Sequence, residues 1–419
     1  MPEGLRQLAT AVTAGLLATA CAARLAVADN LPSEQDFAQV ERGRYLTTVA
    51  DCAACHTDSG AGGAFGGGKP IETPFGKVLS ANITPDRDTG IGDWTDAQFD
   101  AAVRRGETPD GERLYPAMPF PYYTRMTLAD VLAIRAYLNT LPPIHHVVHS
   151  NQLPFPFDIR AGMRLWDALY FEPGPFKPDP GKSSAWNRGA YLVRGAGHCA
   201  ACHTPKTSLG GDLTHQRLQG YSLQGWFAPD ITGDMALGLG RWSVEDVVAY
   251  LKNGHNRFAA ASGPMAEEVA DSSSKMTDAD LHAVAVFLKD QPGAATSGKP
   301  LGARDPQMVA GAAIYRDLCS ACHQEDGTGV AYLIPNLAQA SSVASRQPTS
   351  LLRVVIHGAQ TVATAGEPTA PAMPAYGWQL TDAQIAAVTT YVRNSWGHAA
   401  PATSPGEAHK ARTLKSGAG

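Results

Sequence analysis

Charge is scarce in this chain of 419 residues: Asp, Glu, Lys and Arg make up 17% of it, and the formal net charge is −5. No basic stripe is present to neutralise phosphates, which excludes nucleic acid as a partner. Long apolar runs are scarce too. Past the small-apolar run from Ala9 to Ala23, nothing approaches the about 20 residues a membrane-crossing helix needs. The alternating pattern of half-buried strands is also weak, so strands have little claim anywhere. What the chain has in quantity is loop formers, 42 Gly and 30 Pro, over a length that allows two to four ordinary domains.

The first residues look like an export signal. Arg6 precedes the apolar run, and Ala26-Val27-Ala28 forms a small-residue cleavage site, so residues 1–28 read as a signal peptide cleaved before Asp29. Cys21 then leaves with the signal. Its alternative is a lipoprotein cysteine, since Leu17-Ala18-Thr19-Ala20-Cys21 loosely resembles a lipobox.

The other six of the seven cysteines fall into one pentapeptide written three times: Cys52-Ala-Ala-Cys55-His56, Cys199-Ala-Ala-Cys202-His203 and Cys319-Ser-Ala-Cys322-His323. One Cys-x-x-Cys-His arises by chance or binds zinc. Three in-frame copies read as attachment sites for three covalently bound haem c groups. The spacing gives the physical reason: thiols three positions apart share one side of a helical turn and match two vinyl groups, and the next residue aims an imidazole at iron. Covalent haem on Cys52, Cys55, Cys199, Cys202, Cys319 and Cys322 leaves His56, His203 and His323 as proximal ligands. Export agrees, because this attachment takes place outside the bacterial cytoplasm.

An iron that only passes electrons needs a second protein ligand, and a loop methionine fits. Met118 in Tyr115-Pro-Ala-Met-Pro119, Met265 in Gly263-Pro-Met265 and Met373 in Pro371-Ala-Met-Pro374 each follow an attachment site. A thioether is soft, favours ferrous iron and raises the potential. The alternative for each is plain loop packing. Met126 and Met276 precede Thr127 and Thr277, where the third copy has Leu380 before Thr381, so they read as apolar staples onto a helix.

The repetition runs beyond the pentapeptides. Arg42-Gly43-Arg-Tyr45-Leu46 recurs as Arg188-Gly189-Ala-Tyr191-Leu192, with Gly311 to Tyr315 as a looser version. Asn82-Ile-Thr-Pro-Asp86 and Asp230-Ile-Thr-Gly-Asp234 follow the first two sites, and Pro335-Asn-Leu337 the third. Amphipathic helices then close each copy over 128–138, 278–288 and 382–392, with Thr127, Thr277 and Thr381 as N-caps. A leading helix with a small Gly crosses a closing helix with an aromatic at Tyr137, Phe287 or Tyr391, where the missing side chain lets the backbones approach. The domains predicted are 36–147, 183–292 and 304–397, with a linker at 148–182 and a disordered tail at 398–419.

Two features lie outside the repeat. His145, His146 and His149 cluster without cysteine or carboxylate at ligand spacing, which favours a solvated linker over a metal site. In the linker, Ile159, Met163, Trp166 and Tyr170 share a helical stripe, predicting burial against the haem domains, a partner or lipid. Backbone carbonyls near Pro229 and Pro335 are expected to orient the second and third proximal histidines; the first copy has Ala81 at that place, which leaves its orienting group open.

From about Arg42 to Gly397 the chain resembles the three-haem cytochrome c subunits of bacterial membrane-bound dehydrogenases, which serve alcohol, aldehyde, gluconate, sorbitol or fructose oxidation. The residues that carry this are Gly43-x-Tyr45-Leu46, Asn82-Ile-Thr-Pro-Asp86 with Gly90-Ile-Gly92, Leu114-Tyr-Pro-Ala-Met-Pro-Phe120 and Pro371-Ala-Met-Pro374. The resemblance implies an all-α fold of three tandem class I cytochrome c-like domains wrapped around haem. It implies a catalytic dehydrogenase subunit of flavin, pyrroloquinoline quinone or molybdopterin type as electron donor, and ubiquinone or a terminal oxidase as acceptor. It also implies peripheral contact with the outer face of the inner membrane, in the periplasm. The Leu153 to Phe171 segment looks more like the versions accompanying molybdopterin aldehyde or heteroaromatic oxidoreductases than those of the sugar-acid group. Two rivals stand beside this reading: a free-standing carrier, and a multihaem peroxidase with one open iron site, against which a methionine in every copy argues.

Overall fold

The computed structural model describes residues 36–60, 62–149, 151–293 and 298–414. The expected signal at 1–28, with Cys21, lies outside the described residues. Within them the chain is predominantly helical, and one helix crossing is built three times. The leading helices Phe37–Val49, Ser184–Arg194 and Pro306–Leu318 pack against the closing helices Leu128–Leu138, Asp278–Lys289 and Asp382–Arg393.

The crossings are tight because glycine sits at each. A Cβ on Gly43 would lie 1.8 Å from the Ala133 carbonyl oxygen and 3.0 Å from Tyr137 Cβ. On Gly189 it would meet Ala283 O at 1.9 Å and Phe287 Cβ at 2.8 Å, and on Gly311 Ala387 O at 2.2 Å and Tyr391 Cβ at 2.6 Å. Each closing helix starts as its sequence predicts: Thr127, Thr277 and Thr381 accept from the backbone N–H of Asp130, Asp280 and Gln384. The residues before them, Met126, Met276 and Leu380, are all buried.

The first and second crossings share one continuous core, running from Leu46 and Val49 through Met126 and Ile134 to Tyr191, Leu281 and Phe287. A reciprocal exchange ties them. Tyr45 OH donates to Asp280 Oδ2 at 2.6 Å while Tyr191 OH donates to Asp130 Oδ2. Arg42 Nε meets Asp130 Oδ1 at 2.6 Å, and Arg188 Nε meets Asp280 Oδ1 at 2.7 Å. The same patch is used on both sides, as in an isologous dimer, but inside one chain. The third crossing has Ala310, Ala313 and Gln384 at those places and keeps separate cores around Leu352, Ile385 and Val388. It joins the second through Ser350, whose hydroxyl accepts from Phe227 N at 2.8 Å and donates to Phe227 O at 3.0 Å.

Three expectations are corrected. Strands do occur, as three antiparallel hairpins: Pro70–Thr73 with Gly76–Leu79, Gln219–Leu223 with Trp226–Asp230, and Ala359–Gln360 with Ala372–Met373. They are only two to five residues long, too short for an alternating pattern to register, and the turns of the first two rest on positive φ at Gly76, Gln224 and Gly225. The described part of the tail, 398–414, is ordered: Pro405–Thr413 is a helix with a Ser404/Glu407 capping box, and it buries Ala408 and Ala411. Arg412 anchors it to Asp382 at 2.8 Å. Its apolar face is only alanine, too small to register as a stripe. The linker helix forms at Met163–Tyr170 and buries Trp166, whose Nε1 donates to Leu209 O at 2.9 Å. Ile159, predicted on the buried stripe, is instead half-exposed, because a 3-10 turn at Arg160–Gly162 shifts its phase.

Candidate haem sites

Each leading helix runs into a short helical turn that carries the pentapeptide: Cys52–His56, Ala200–His203 and Ser320–His323. The six cysteines on these turns are unbridged, so both thiols of each pair are free for a vinyl edge. Burial pushes the Cys52 and Cys199 thiols up to about 12 and those of Cys55 and Cys319 up to about 11, which keeps them neutral.

All three histidines are oriented in the same way. His56 Nδ1 lies 2.7 Å from Ala81 O, His203 Nδ1 2.7 Å from Pro229 O, and His323 Nδ1 3.1 Å from Pro335 O. A carbonyl only accepts, so each Nδ1 carries the proton and each Nε2 presents its lone pair as a ligand. Burial lowers all three pKa values, although the carbonyls pull back, so the rings stay neutral. The Asn-Ile-Thr repeat holds these carbonyls. Asn82 Nδ2 donates to Ile144 O at 2.7 Å and its Oδ1 accepts from Thr84, while Asp230 Oδ1 accepts from Thr232 N at 2.7 Å.

A cavity of about 1740 Å³ opens over the first turn, lined by Cys52, Cys55, His56 and Met118 together with Ile91, Phe99, Val103 and Ile134. Free thiols, a neutral imidazole, a thioether and apolar walls fit a covalently bound haem with His and Met on its two faces. The lining continues to Ala201 and Cys202 of the second turn, so the first site is completed by the second segment. His198 also lines this cavity; its Nδ1 lies 2.9 Å from Ala196 O, and its ring meets Tyr123 edge-on at 5.6 Å.

The other methionines stand in elements the sequence did not announce. Met265 is in the first turn of helix Pro264–Asp271, started by Gly263 at φ 57° and by Pro264, and this helix packs against the Cys52–His56 turn. Met373 is in a two-residue strand paired with Ala359. Of the histidine cluster, His146 Nδ1 lies 2.7 Å from Gly66 O, and His145 Nδ1 lies 3.6 Å from Asp86. Sequence reasoning missed the Tyr45–Asp280 and Tyr191–Asp130 exchange. The signal was there, because Arg42, Tyr45 and Asp130 recur in the second copy and are lost together in the third.

A Gly-pinned helix crossing with a thiol pair and a carbonyl-oriented imidazole is the build of a c-type cytochrome. The family profile for cytochrome c matches residues 40–142, 187–292 and 308–396, and the chain belongs to that family. Three matched segments, each with one attachment motif, give it three covalent haem c groups. It is 38% identical over 387 residues to the gluconate 2-dehydrogenase cytochrome c subunit of Pantoea cypripedii, covering 87% of each chain. It is 38% identical over 393 residues to the alcohol dehydrogenase (quinone) cytochrome c subunit of Komagataeibacter europaeus, covering 88% of this chain and 83% of that one. A diheme cytochrome c-type protein of Cereibacter sphaeroides is 33% identical over 265 residues, or 61% of this chain and 86% of its own.

Proposed function

We propose that the chain is the electron-transfer subunit of a bacterial dehydrogenase complex, taking electrons from a catalytic subunit and passing them to ubiquinone or a terminal oxidase. The observation that supports this most directly is the threefold His Nδ1 to carbonyl contact, which prepares every site for ligation. The relatives named as cytochrome c subunits of gluconate and quinone-type alcohol dehydrogenases supply the partner class. The donor is of flavin, pyrroloquinoline quinone or molybdopterin type.

In this reading 36–147, 183–292 and 304–397 are three tandem cytochrome c domains. Cys52 and Cys55, Cys199 and Cys202, and Cys319 and Cys322 would hold the haems, and His56 with Met118, His203 with Met265 and His323 with Met373 would supply the iron ligands. Bound haem supplies the one-electron chemistry. The chain's own residues fix each imidazole, exclude water with apolar walls and hold both ligands, so that charge changes with little movement. No acid, base or nucleophile is required of it. The place of work is the periplasm, at the membrane surface; among the described residues no helix is long and apolar enough to cross a membrane.

Purification from the native membrane fraction is the test. The expected particle holds this chain with a dehydrogenase subunit, its mature mass includes three haems, and the substrate of that subunit reduces all three. A chain recovered alone, with no substrate able to reduce it through a partner, refutes the reading. Rapid peroxide turnover with a high-spin haem refutes it in favour of a peroxidase.

A further inference from the structure

The first and second attachment turns face each other across a buried acidic contact. Helix Pro264–Asp271 lies against the Cys52–His56 turn, and Ser272 Oγ donates to Val49 O at 3.2 Å. Beside it, Ser273 Oγ is 2.8 Å from Leu251 O and 2.9 Å from Glu268 Oε2, and Ser273 is 2% exposed. A hydroxyl has one hydrogen to give. Ser273 therefore serves one acceptor at a time: it donates to the Glu268 carboxylate when that is ionised, and is released to Leu251 O when Glu268 holds a proton and donates to Ser273 Oγ.

Across the contact stands Asp51. Its backbone is left-handed, with φ 50° and ψ 37°, and its buried Oδ1 has no hydrogen-bond partner. An ionised carboxylate oxygen so placed costs far more than a protonated one. Burial and then the charges of Glu268 and Asp271 push the Asp51 carboxyl up to about 8, with Lys275 and Lys69 pulling back. Burial pushes Glu268 up to about 7; the Ser273 contact opposes this and Asp271 adds to it. Tyr250, on helix Val244–Asn253, faces Glu268 as well, and Glu267 faces Cys55. Glu268 acts electrostatically on Cys199 and Cys202, and Asp51 on Cys52, Cys55 and Cys202. Both carboxyls therefore sense the two attachment turns.

We infer that Glu268, with Asp51, binds a proton when the first and second haems are reduced and releases it when they are oxidised, so that this haem pair couples electron passage to proton uptake. The inference rests on the haem reading above. One electron from the dehydrogenase partner turns a ferric site ferrous, and one proton from solvent turns the Glu268 carboxylate into the acid; oxidation returns both. The sign follows from charge: a ferric site carries one more positive charge, favours the carboxylate and expels the proton. The third site has Leu318 before Cys319, where the first has Asp51, and Tyr376 three residues after Met373, where the second has Glu268 after Met265, so neither carboxyl recurs there.

The test is a spectroelectrochemical titration of each haem in the purified three-haem protein between about pH 6 and about pH 9. Two potentials are expected to fall as pH rises while the third stays level. Glu268→Gln should flatten the two, and the redox difference infrared spectrum should lose one protonated-carboxyl band. Ser273→Ala, a milder change, should move the sloping region to a different pH. Three level potentials in the parent protein overturn the inference, as do slopes that neither variant alters. Haem content separates the two readings: fewer than three haems by mass means the haem assignment failed, whereas three haems with level potentials means only the proton coupling failed.

Discussion

At the residue scale, the glycines of the leading helices carry unusual weight. Gly189 leaves a backbone carbonyl where a Cβ would sit, and a carbonyl in a packed helix cannot step aside. Gly189→Val is expected to cost about 3 kcal/mol or more, read as a lowered denaturation midpoint, whereas a surface change such as Lys177→Ala should leave the midpoint within about 0.5 kcal/mol. Met118 shares the first cavity with Cys52, Cys55 and His56. Met118→Ala should remove the far-red sulfur-to-iron band of one haem and lower its potential, and an unchanged spectrum would transfer the ligand role to another residue. Glycines, attachment cysteines and histidines were readable because the repeat prints them three times. Glu268 and Asp51 were not, since their meaning lies in burial against a distant segment, which local periodicity does not record.

Elements were legible in proportion to the size of their apolar faces. The closing helices carry Leu, Ile, Val and aromatic side chains behind a threonine cap and were predicted within a residue or two of their bounds. The hairpins and the tail helix escaped, the first for shortness and the second because alanine gives a weak stripe. The tail nonetheless covers the third core: His357 Nε2 lies 3.2 Å from Ala411 O, and Arg412 Nη2 donates to Leu380 O at 2.9 Å. Ending the chain before Ser404 uncovers Leu352, Ile356 and Leu380 and should destabilise the third segment by about 2 kcal/mol or more. Calorimetry should show its transition falling while that of the first two segments stays in place; a joint fall would mean the three unfold as one.

At the scale of the whole molecule, the chain divides as two and one. The first pair of crossings share a core and trade Tyr–Asp contacts, whereas the third keeps cores of its own. Burial works against ionisation of Asp280, but Arg188 and Tyr45 outweigh it and hold its carboxyl below the usual carboxylate range. A depressed folded value contributes stability above the unfolded pKa and loses it as pH falls through the folded one. Acidification below about pH 4 should therefore loosen the first pair before the third, and Asp280→Asn should reproduce part of that loss at neutral pH, about 1–3 kcal/mol. Pulsed hydrogen exchange on the leading helices checks both. The reciprocal clasp also bears on biogenesis. Tyr45 is synthesised long before Asp280, so the first attachment motif is complete while its pocket still lacks a wall. Folding of the amino-terminal third waits on synthesis of the middle, which gives the assembly apparatus an open substrate and seals it only afterwards.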